Sequence, residues 1–556
     1  MNQAVNMTRL GETSKFFDAF VQIGPRRLKH PAHSWRLEDV LAEMEYCSIS
    51  GALVASTMSV EYDLMHANRE LSESLQGHRN LFAIWNVMPH HTRECLEPES
   101  LLRMLREAQV PAVTIHPRSN GWDALGHHAE ELFEALGKAG VPVMVPATEF
   151  SSWQECATFL ERYPALQVIL LGVRWGEQRY LLPLLEQHRN LHFTLESYQA
   201  NYGIEELVEE GLEERLIFAS HAPMMAIGAA RAYVDYAEVP MSVRRKIAGG
   251  NLFRLLQGLG PSGEVDNGDE DELMAAARRG LPLPLPVVDM HMHILEEGMN
   301  GGGGISRMFR GGPRDTFHLL KRLGCEAGGF MSWNGTVGAD SAGGNPCVAR
   351  ALDVSTGAFW GLATVDPVHY SQEELAVMIP EIYADRRFIG MKPYVTYGVE
   401  YDDPAYDIWW RYGNERSFYA GIHRVRDDFR EVENLARKYP NVRWVIYHCG
   451  SNFQVADGAI ACMKEFSNVY AELTLTSVTS GVVEYLVEHA GADRILYGSD
   501  LPMRDPRPQL GWVVFSRLPV SVKRQILSSN ARRVIAPCLQ YLPAEVRSRF
   551  SRWEEQ

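Results

Sequence analysis

Two histidines near residue 290 have the spacing of metal ligands on a β-strand. The segment 287–293 reads VVDMHMH, so His291 and His293 are separated by one residue. Because side chains at positions i and i+2 of a strand point to the same face, the two imidazoles can bind one metal ion. The spacing alone decides little, since a chain of 556 residues with 19 histidines contains such pairs by chance.

Three further ionisable residues come at the ends of apolar, strand-like segments in the same half of the chain. They are His423 after FYAGI, His448 after WVIY and Asp500 after ILYGS. An ionisable group buried without a partner is unfavourable, so such residues are poor candidates for the core. If the strands form one barrel, their carboxyl ends share a rim, and the five side chains are expected to converge there. Imidazoles with one carboxylate suit zinc or manganese.

The segments that position these residues belong to an internal sequence repeat with two copies. The segment RILYGSDLPM at 494–503 matches RLIFASHAPM at 215–224. A second match, PVSVKRQILSSN at 519–530 against PMSVRRKIAGGN at 240–251, follows 19 residues after Asp500 and after His221. Strand-like and helical stretches alternate throughout, which indicates βα units. Each copy has about 260 residues, the size of a (β/α)₈ barrel.

The sequence therefore predicts an α/β fold of two tandem (β/α)₈ barrels. We expect a first barrel at 1–256, a linker with acidic, Pro and Gly residues at 257–286, and a second barrel at 287–556. The strands of the first copy are expected to start near Phe16, Gly51, Leu81, Ala112, Val141, Val168, His192 and Leu216. Those of the second are expected near Val287, Ala327, Trp360, Phe388, Phe418, Trp444, Val469 and Ile495.

Three segments of the second copy resemble a known family. The D-x-H-x-H opening at 289–293, YPNVRWVIYHCG at 439–450 and RILYGSDLP at 494–502 resemble the amidohydrolase superfamily, in its amidohydrolase-2 or aminocarboxymuconate-semialdehyde-decarboxylase-like branch. The resemblance spans 287–535 and implies one divalent metal at the mouth of a distorted barrel, Zn²⁺ in the first place, with Mn²⁺ as the alternative.

By that resemblance, the metal ligands are His291, His293, His423 and Asp500. His448 lies beside the metal, as an extra ligand or in contact with substrate. Lys392 contacts the substrate or a carboxylate behind the ligands in single-metal members, whereas in two-metal members a carboxylated lysine bridges the ions. Arg424 departs from the family pattern, which has Gly or Thr after this histidine.

The first copy lacks these residues at the aligned positions. The pairs are His291 with Phe20, His293 with Gln22, His423 with Pro146, His448 with Gly172 and Asp500 with His221. We therefore expect a catalytically inactive barrel that retains the fold. The alternative is an unrelated metal site using His90, His91, His116 or His221. Because members of the branch form homodimers, the first barrel is also expected to act as an internal pseudo-dimer partner, and the chain could itself form a homo-oligomer.

Arginines and aromatic residues near the mouth are candidates for substrate binding. The loop after the first strand of the second copy holds four glycines at 301–304, then Arg307 and Arg310. It predicts a mobile lid whose arginines bind a carboxylate, with a disordered insertion as the alternative. Arg424 and Lys392 are further substrate-binding candidates. An aromatic group comprises Tyr394, Tyr397, Trp409, Trp410 and Tyr412. It either lines a substrate pocket or packs an extra helix.

These features predict a hydrolase that uses a metal-activated water on a C–N or C–O bond of a small, anionic substrate. Asp500 accepts the water's proton and His448 assists. The alternative is a metal-dependent non-oxidative decarboxylase of a small aromatic or unsaturated carboxylic acid. A third interpretation is a non-enzymatic scaffold of two barrels.

Composition excludes several other classes. With 54 Lys and Arg against 70 Asp and Glu, the net charge is −16, which disfavours nucleic acid as a partner. No apolar run approaches the length of a membrane helix. The eight cysteines form no Cys-x-x-Cys pair, which argues against a thiolate zinc site and suits a reducing cytoplasm. The expected partner is a small-molecule substrate.

Overall fold

The chain folds into two compact α/β units in a computed structural model. The structure describes residues 15–27, 30–257, 270–302, 306–394, 397–423 and 428–551. One unit, here called the first barrel, comprises Met1–Gln199 and Gly203–Glu270. The other, the second barrel, comprises Ala200–Tyr202 and Asp271–Gln556. In the described part of the chain, no helix is both long and apolar enough to cross a bilayer.

The first barrel is built from parallel strands. They are β1 (Phe16–Ile23), β2 (Ile49–Ser56), β3 (Leu81–Ala83), β4 (Trp85–Asn86), β5 (Val113–Thr114), β6 (Val143–Pro146), β7 (Val168–Leu171), β8 (Leu191–Thr194) and β9 (Leu216–Ile217). They pair in the orders β1-β2-β3 and β4-β5-β6-β7-β8-β9, and one residue, Ile84, separates β3 from β4. A parallel bridge between Val21 and Ala222 joins the first and last strand positions.

The second barrel has one parallel sheet of eight strands. They are β10 (Val287–Ile294), β13 (Cys325–Ser332), β14 (Ala358–Ala363), β15 (Phe388–Met391), β16 (Tyr419–His423), β17 (Arg443–Tyr447), β18 (Val469–Glu472) and β19 (Ile495–Leu496), paired in that order. A bridge between Met292 and Leu501 joins β10 to the chain after β19. Every residue of β10 and β14 is buried, as expected for parallel strands covered on both faces. The small antiparallel pair β11 (Gly301–Gly302) and β12 (Ser306–Arg307) lies in the loop after β10.

Helices alternate with the strands, as the sequence predicts. In the first barrel they are α1 (Leu37–Tyr46), α2 (Met58–Glu61), α3 (Leu64–Ser74), α4 (Pro98–Glu107), α5 (Glu130–Ala139), α6 (Trp153–Arg162), α7 (Gln178–Gln187), α8 (Gly203–Glu209), α9 (Ile227–Asp235), α10 (Met241–Arg245) and α11 (Asn251–Leu255). In the second they are α12 (Glu272–Arg278), α13 (Pro313–Leu323), α14 (Trp333–Thr336), α15 (Ser341–Asp353), α16 (Gln372–Ile382), α17 (Asp407–Arg416), α18 (Arg430–Lys438), α19 (Phe453–Glu465), α20 (Val482–Ala490), α21 (Pro506–Val514), α22 (Val520–Arg524), α23 (Asn530–Ile535) and α24 (Ala544–Ser551). The fold class is confirmed, and each expected strand starts within two residues of an observed one.

The two copies of the sequence repeat make the same hydrogen bonds at an equivalent aspartate. Asp18 accepts hydrogen bonds from the backbone N–H two residues later, at 3.1 Å, and from that of Ser220, at 3.0 Å. Asp289 makes the same two contacts, at 3.0 Å to the N–H two residues later and at 3.1 Å to that of Ser499. In both barrels a buried aspartate thus holds the first strand against the chain that follows the last one.

The segment expected to be a linker is only partly separate from the barrels. Its residues 258–269 lie outside the described residues. Helix α12 follows and belongs to the second barrel. The Asp271 carboxylate pairs with the buried Lys523 ammonium at 2.6 Å, and Glu272 pairs with Arg524 at the same distance. These two ion pairs attach the end of the linker to the second barrel.

Candidate metal centre

The strands of the second barrel bring the five candidate residues to one rim. His291 and His293 lie in β10, and His423 is the last residue of β16. His448 directly follows β17, and Asp500 comes shortly after β19. The last two have positive φ angles, 70° and 58°, which non-glycine residues adopt rarely and often at functional sites.

Three of these residues form a tight, buried group. One ligand atom from each of His291, His448 and Asp500 lies within 4.8 Å of the other two. The Nε2 atom of His293 is 3.3 Å from Oδ1 of Asp500, and that of His291 is 3.4 Å from the same oxygen. No other group of three His, Cys, Asp or Glu side chains in the described ranges is this close.

The hydrogen bonds of His291 prepare it to bind a cation. Its Nδ1 lies 3.2 Å from Oε2 of Glu472, and since a carboxylate accepts, Nδ1 carries the proton. Burial holds the pKa of His291 well below its usual value, so the ring is neutral and Nε2 keeps a lone pair. That lone pair faces Oδ1 of Asp500. Two acceptors in this position suit a divalent cation between them.

His448 is held in one tautomer and links His423 to the group. Its Nδ1 donates to the carbonyl of Thr474 at 2.7 Å. Its Nε2 therefore accepts a hydrogen bond from Nδ1 of His423, 3.1 Å away. His448 belongs to the tight group, while His423 contacts that group through His448. The structure thus places all four predicted ligands and His448 together, and their individual roles stay predictions.

Sequence reasoning missed an arginine at the centre of the site. The Arg504 guanidinium is only 7% exposed and contacts Oδ2 of Asp500 through Nη1. Its Nε donates to Oγ1 of Thr476 at 2.5 Å. Burial lowers the pKa of Arg504 to about 10, so the group remains a cation at neutral pH. Arg504 lies in a loop, where the sequence has no strand periodicity from which the direction of a side chain can be predicted.

Glu472 was also missed, although its strand was predicted. It ends the segment VYAE and so carries the same signal as His423 and His448, an ionisable residue at the end of an apolar strand. The carboxylate is fully buried and accepts hydrogen bonds from the backbone N–H groups of His448 at 3.3 Å and Thr474 at 2.7 Å. Burial raises the pKa of Glu472 to about 8, whereas the N–H groups of Thr474 and His448 favour the ionised form. In that ionised form Glu472 accepts the proton of Nδ1 of His291, as described above.

Lys392 is buried beside these groups. Its Nζ lies 4.4 Å from the ring centroid of Tyr447 and has no hydrogen-bond partner among the described residues. Burial lowers the pKa of Lys392 to about 7, against the attraction of Glu472. Glu472 therefore influences Lys392 by its charge, without a hydrogen bond between the two among the described residues, and the expected contacts of Lys392 with a carboxylate and with substrate stay predictions.

The other substrate-binding candidates lie against aromatic rings or outside the described residues. Arg307 stacks on Phe309 at 4.6 Å, and Arg310 lies 5.1 Å from the ring of Tyr202, within the second barrel. Arg424 falls outside the described residues. The predicted lid glycines are partly outside them too.

The aromatic group divides between core and site. Trp409 and Trp410 are fully buried in α17 and stack on each other, so they pack the extra helix. The ring of Tyr394 lies 5.0 Å from that of His423, at the mouth of the site.

The equivalent positions of the first barrel have a different character. The rings of Phe20 and His221 pack edge to face at 5.2 Å, and burial lowers the pKa of His221 to about 4. Of the histidines considered for a separate site, His116 lies 3.5 Å from Glu149. Within the described residues of this barrel, no three potential ligand side chains come together.

Known structures with similar folds include several decarboxylases. The 5-carboxyvanillate decarboxylase of Sphingomonas paucimobilis is 15% identical, with a TM-score of 0.36, over 44% of this chain and 99% of that one. The 2,6-dihydroxybenzoate decarboxylase from Rhizobium is 14% identical, with a TM-score of 0.35, over 44% and 99%. The manganese-bound 5-carboxyvanillate decarboxylase of Novosphingobium aromaticivorans is 13% identical, with a TM-score of 0.38, over 45% and 97%.

No curated protein sequence matches the chain. The family model described as Amidohydrolase matches residues 66–257 and again residues 288–536, one region in each barrel. The match covers most of the chain and both copies of the repeat. The chain therefore belongs to the Amidohydrolase family, as a tandem duplication of its barrel.

Proposed function

We propose that the second barrel is a metal-dependent decarboxylase that removes carbon dioxide from a small carboxylic acid. Members of the amidohydrolase superfamily, decarboxylases among them, are metal-dependent enzymes. The contact of Arg504 with Oδ2 of Asp500 is the observation that favours decarboxylation over hydrolysis. It supplies a buried cation for a substrate carboxylate and, at the same time, makes Asp500 a poor acceptor for a proton from water.

The donor set fits a divalent metal, Zn²⁺ or Mn²⁺. His291, His293 and Asp500 would hold it, with His448 or His423 completing the set, because these are neutral imidazoles and one carboxylate with converging acceptor atoms. When bound, the metal supplies a Lewis acid and a concentrated positive charge at the rim.

The chain's own residues provide the remaining requirements of decarboxylation. Arg504 binds the substrate carboxylate, and the buried surroundings exclude water from it. The bond between the carboxylate carbon and the rest of the molecule breaks, carbon dioxide leaves, and the electron pair stays on the remaining carbon. That carbon takes up one proton. The hydrogen-bonded pair of His448 and His423 holds a proton at the rim and is our candidate donor.

Hydrolysis of a C–N or C–O bond is the second candidate, favoured by the position of Oδ1 of Asp500 near two imidazole nitrogens. If the carboxylate of an anionic substrate draws Arg504 away, Oδ2 becomes free to accept a proton from water. Asp500 would then accept the proton of the attacking water and His448 would assist.

The two candidates differ in the fate of water. We suggest loading the full chain with Zn²⁺ or Mn²⁺ and screening small aromatic and unsaturated carboxylic acids, amides and esters in H₂¹⁸O and in D₂O. Decarboxylation predicts carbon dioxide equal to the product formed, one deuterium at the former carboxylate position and no ¹⁸O in the product. ¹⁸O in the product without carbon dioxide would establish hydrolysis instead. His291→Ala is the inactive control, and a wild-type chain that turns over none of these compounds would favour the scaffold interpretation.

We further propose that the first barrel has no catalytic metal centre. Phe20 and Gln22 cannot replace the imidazoles of His291 and His293, and a single imidazole, His221, is too small a ligand set for zinc. Its expected role as an internal pseudo-dimer partner stays a proposal.

A further inference from the structure

Arg26, after the first strand of the first barrel, is a cation with unmet hydrogen-bond donors. Its Nε and Nη1 atoms are shielded from solvent and meet no acceptor among the described residues. Its Nη2 donates to the carbonyl of Gln22 at 3.3 Å. A guanidinium carries five N–H groups and remains charged at any physiological pH, so leaving buried donors unmet is unfavourable. The group is prepared for an acceptor that the described residues do not supply.

A cavity lies beside this guanidinium. It has a volume of about 480 Å³, and its lining includes Arg26, His30, His33, Ser34 and Trp35. This volume suits a small organic molecule. The indole of Trp35 is 42% exposed, which is unusual for so large an apolar side chain. The guanidinium of Arg36 lies 5.5 Å from the centre of this ring and adds a second cation near the cavity.

The charged groups around the cavity favour an anion. Burial lowers the pKa of His33, and the nearby charge of Arg26 lowers it further, so the imidazole is neutral and Arg26 supplies the positive charge at this wall. Arg26 also acts on the pKa of His221 in the same sense, after burial. The charge of Glu61 raises the pKa of Arg26 against the effect of burial, but the Glu61 carboxylate lies 3.5 Å from Nε of the exposed Arg27. One carboxylate shared between two guanidinium groups leaves positive charge in excess.

Arg26 lies at a position in the first barrel that corresponds to the expected metal position in the second barrel. Gln22 is aligned with the metal ligand candidate His293, and His221 with Asp500. Arg26 comes four residues after Gln22, and its side chain donates a hydrogen bond to the Gln22 carbonyl. At the end of the barrel where the second copy collects ligands for a cation, the first copy therefore carries a fixed cation of its own.

We infer that the first barrel binds a small carboxylate with a planar, apolar body in this cavity, through hydrogen bonds from the unmet donors of Arg26 and contact with Trp35. A carboxylate is the natural acceptor for a guanidinium, and charge-assisted hydrogen bonds of this type are strong. The inference is independent of the reaction in the second barrel.

The test uses benzoate as the probe and benzamide as its neutral counterpart, on the full chain without added metal. Binding is followed by calorimetry and by the fluorescence of Trp35, obtained as the difference between wild type and Trp35→Phe. We expect saturable benzoate binding that changes the Trp35 signal, with benzamide at least 10-fold weaker. Arg504→Gln removes the guanidinium that is proposed to bind a carboxylate in the second barrel. It should keep the benzoate response of Trp35, because that response comes from the first barrel.

The chain offers a matched pair of variants. Arg26→Gln should weaken benzoate binding at least 10-fold, whereas Arg103→Gln, which removes the same charge from an exposed position of α4, should change it less than twofold. Arg26→Met serves as a second variant, with the melting temperature as a check of folding for each. Equal binding by wild type and both Arg26 variants, or no saturable binding at all, overturns the inference. Inorganic phosphate that competes as well as benzoate would show a general anion site and overturn the carboxylate assignment.

Discussion

Nδ1 of His291 lies 3.2 Å from Oε2 of Glu472, and both side chains are almost completely buried. The carboxylate decides which ring nitrogen carries the proton and turns the other toward Asp500. Behind this contact, the two oxygens of Glu472 also accept backbone N–H groups, so the carboxylate cannot easily rotate. The tautomer of a metal ligand is thus set by a residue that need not touch the metal.

Glu472→Gln should weaken metal binding roughly 10- to 100-fold, the usual effect of losing such a partner. The amide oxygen of glutamine can satisfy the N–H of Thr474, but its NH₂ group then faces Nδ1 of His291. That favours the tautomer with the proton on Nε2, the nitrogen that should bind the metal. Affinity for Zn²⁺ and Mn²⁺ is measured by competition with a chromophoric chelator. The control is Glu465→Gln, the same change at an exposed residue of α19, and equal loss in both variants would contradict the assignment.

Wild-type protein should carry about one metal ion per chain, located in the second barrel. His291→Ala should lose most of this metal because one of the converging acceptors is removed. His221→Ala changes the first-barrel residue aligned with Asp500 and should leave the metal content unchanged. Elemental analysis of the three purified proteins measures this. Loss of metal in His221→Ala but not in His291→Ala would place the cation in the first barrel.

The strands and their ends could be predicted because apolar segments of regular length alternate with helical ones, and because the chain repeats the pattern. The rim residues followed, since the topology of a barrel brings strand ends together. Arg504 could not be predicted in this way. Its direction depends on the turn after Asp500 and on its contact with Thr476, neither of which leaves a periodic signal.

The contacts of the linker could not be predicted either, because they join residues far apart in the sequence. Its end is attached by the pairing of Asp271 with Lys523, two residues 252 positions apart in the chain. Composition identifies an acidic, glycine- and proline-containing segment, but it cannot identify which of its carboxylates finds a buried lysine. Likewise, the sequence does not show that Arg307 lies against the ring of Phe309 or Arg310 against that of Tyr202. Their contact with substrate stays a prediction.

Asp18 should make the first barrel less stable as the pH rises from 4 to 8. Burial raises its pKa to about 7 from 3.8, although hydrogen bonds from Ser220 and two N–H groups favour the charged form. Between these two pH values the unfolded chain loses the proton while the folded chain keeps it, so the free energy of unfolding falls with pH until the folded group also ionises. The stabilisation is complete below the unfolded pKa and is lost by about pH 8.

Asp18→Asn removes this dependence, since an amide cannot ionise and still accepts the N–H groups while donating to Oγ of Ser220. The variant should match wild type at pH 4 and exceed it at pH 8 by on the order of a few kcal/mol, because each tenfold change in proton affinity between the folded and unfolded chain corresponds to about 1.4 kcal/mol. Denaturant unfolding between pH 4 and 8 measures the difference. Glu134→Gln, an exposed change in α5, should keep the wild-type slope. Parallel curves for wild type and Asp18→Asn would show that the carboxyl group is not titrating in this range.

Arg504→Gln should lower kcat/KM for the carboxylate substrate roughly 100-fold or more. Removing one member of a buried, hydrogen-bonded charge pair costs about 2–5 kcal/mol, and here the substrate carboxylate is the expected second partner. Arg504→Lys keeps the charge but not the forked donors, so it should recover only part of the loss. Arg314→Gln, in an exposed position of the same barrel, is the matched control and should behave as wild type. Metal content is measured in parallel, because Arg504 also contacts Asp500. If Arg504→Gln keeps both its metal and its wild-type kcat/KM, the guanidinium does not bind the substrate carboxylate, and the case for decarboxylation over hydrolysis fails with it.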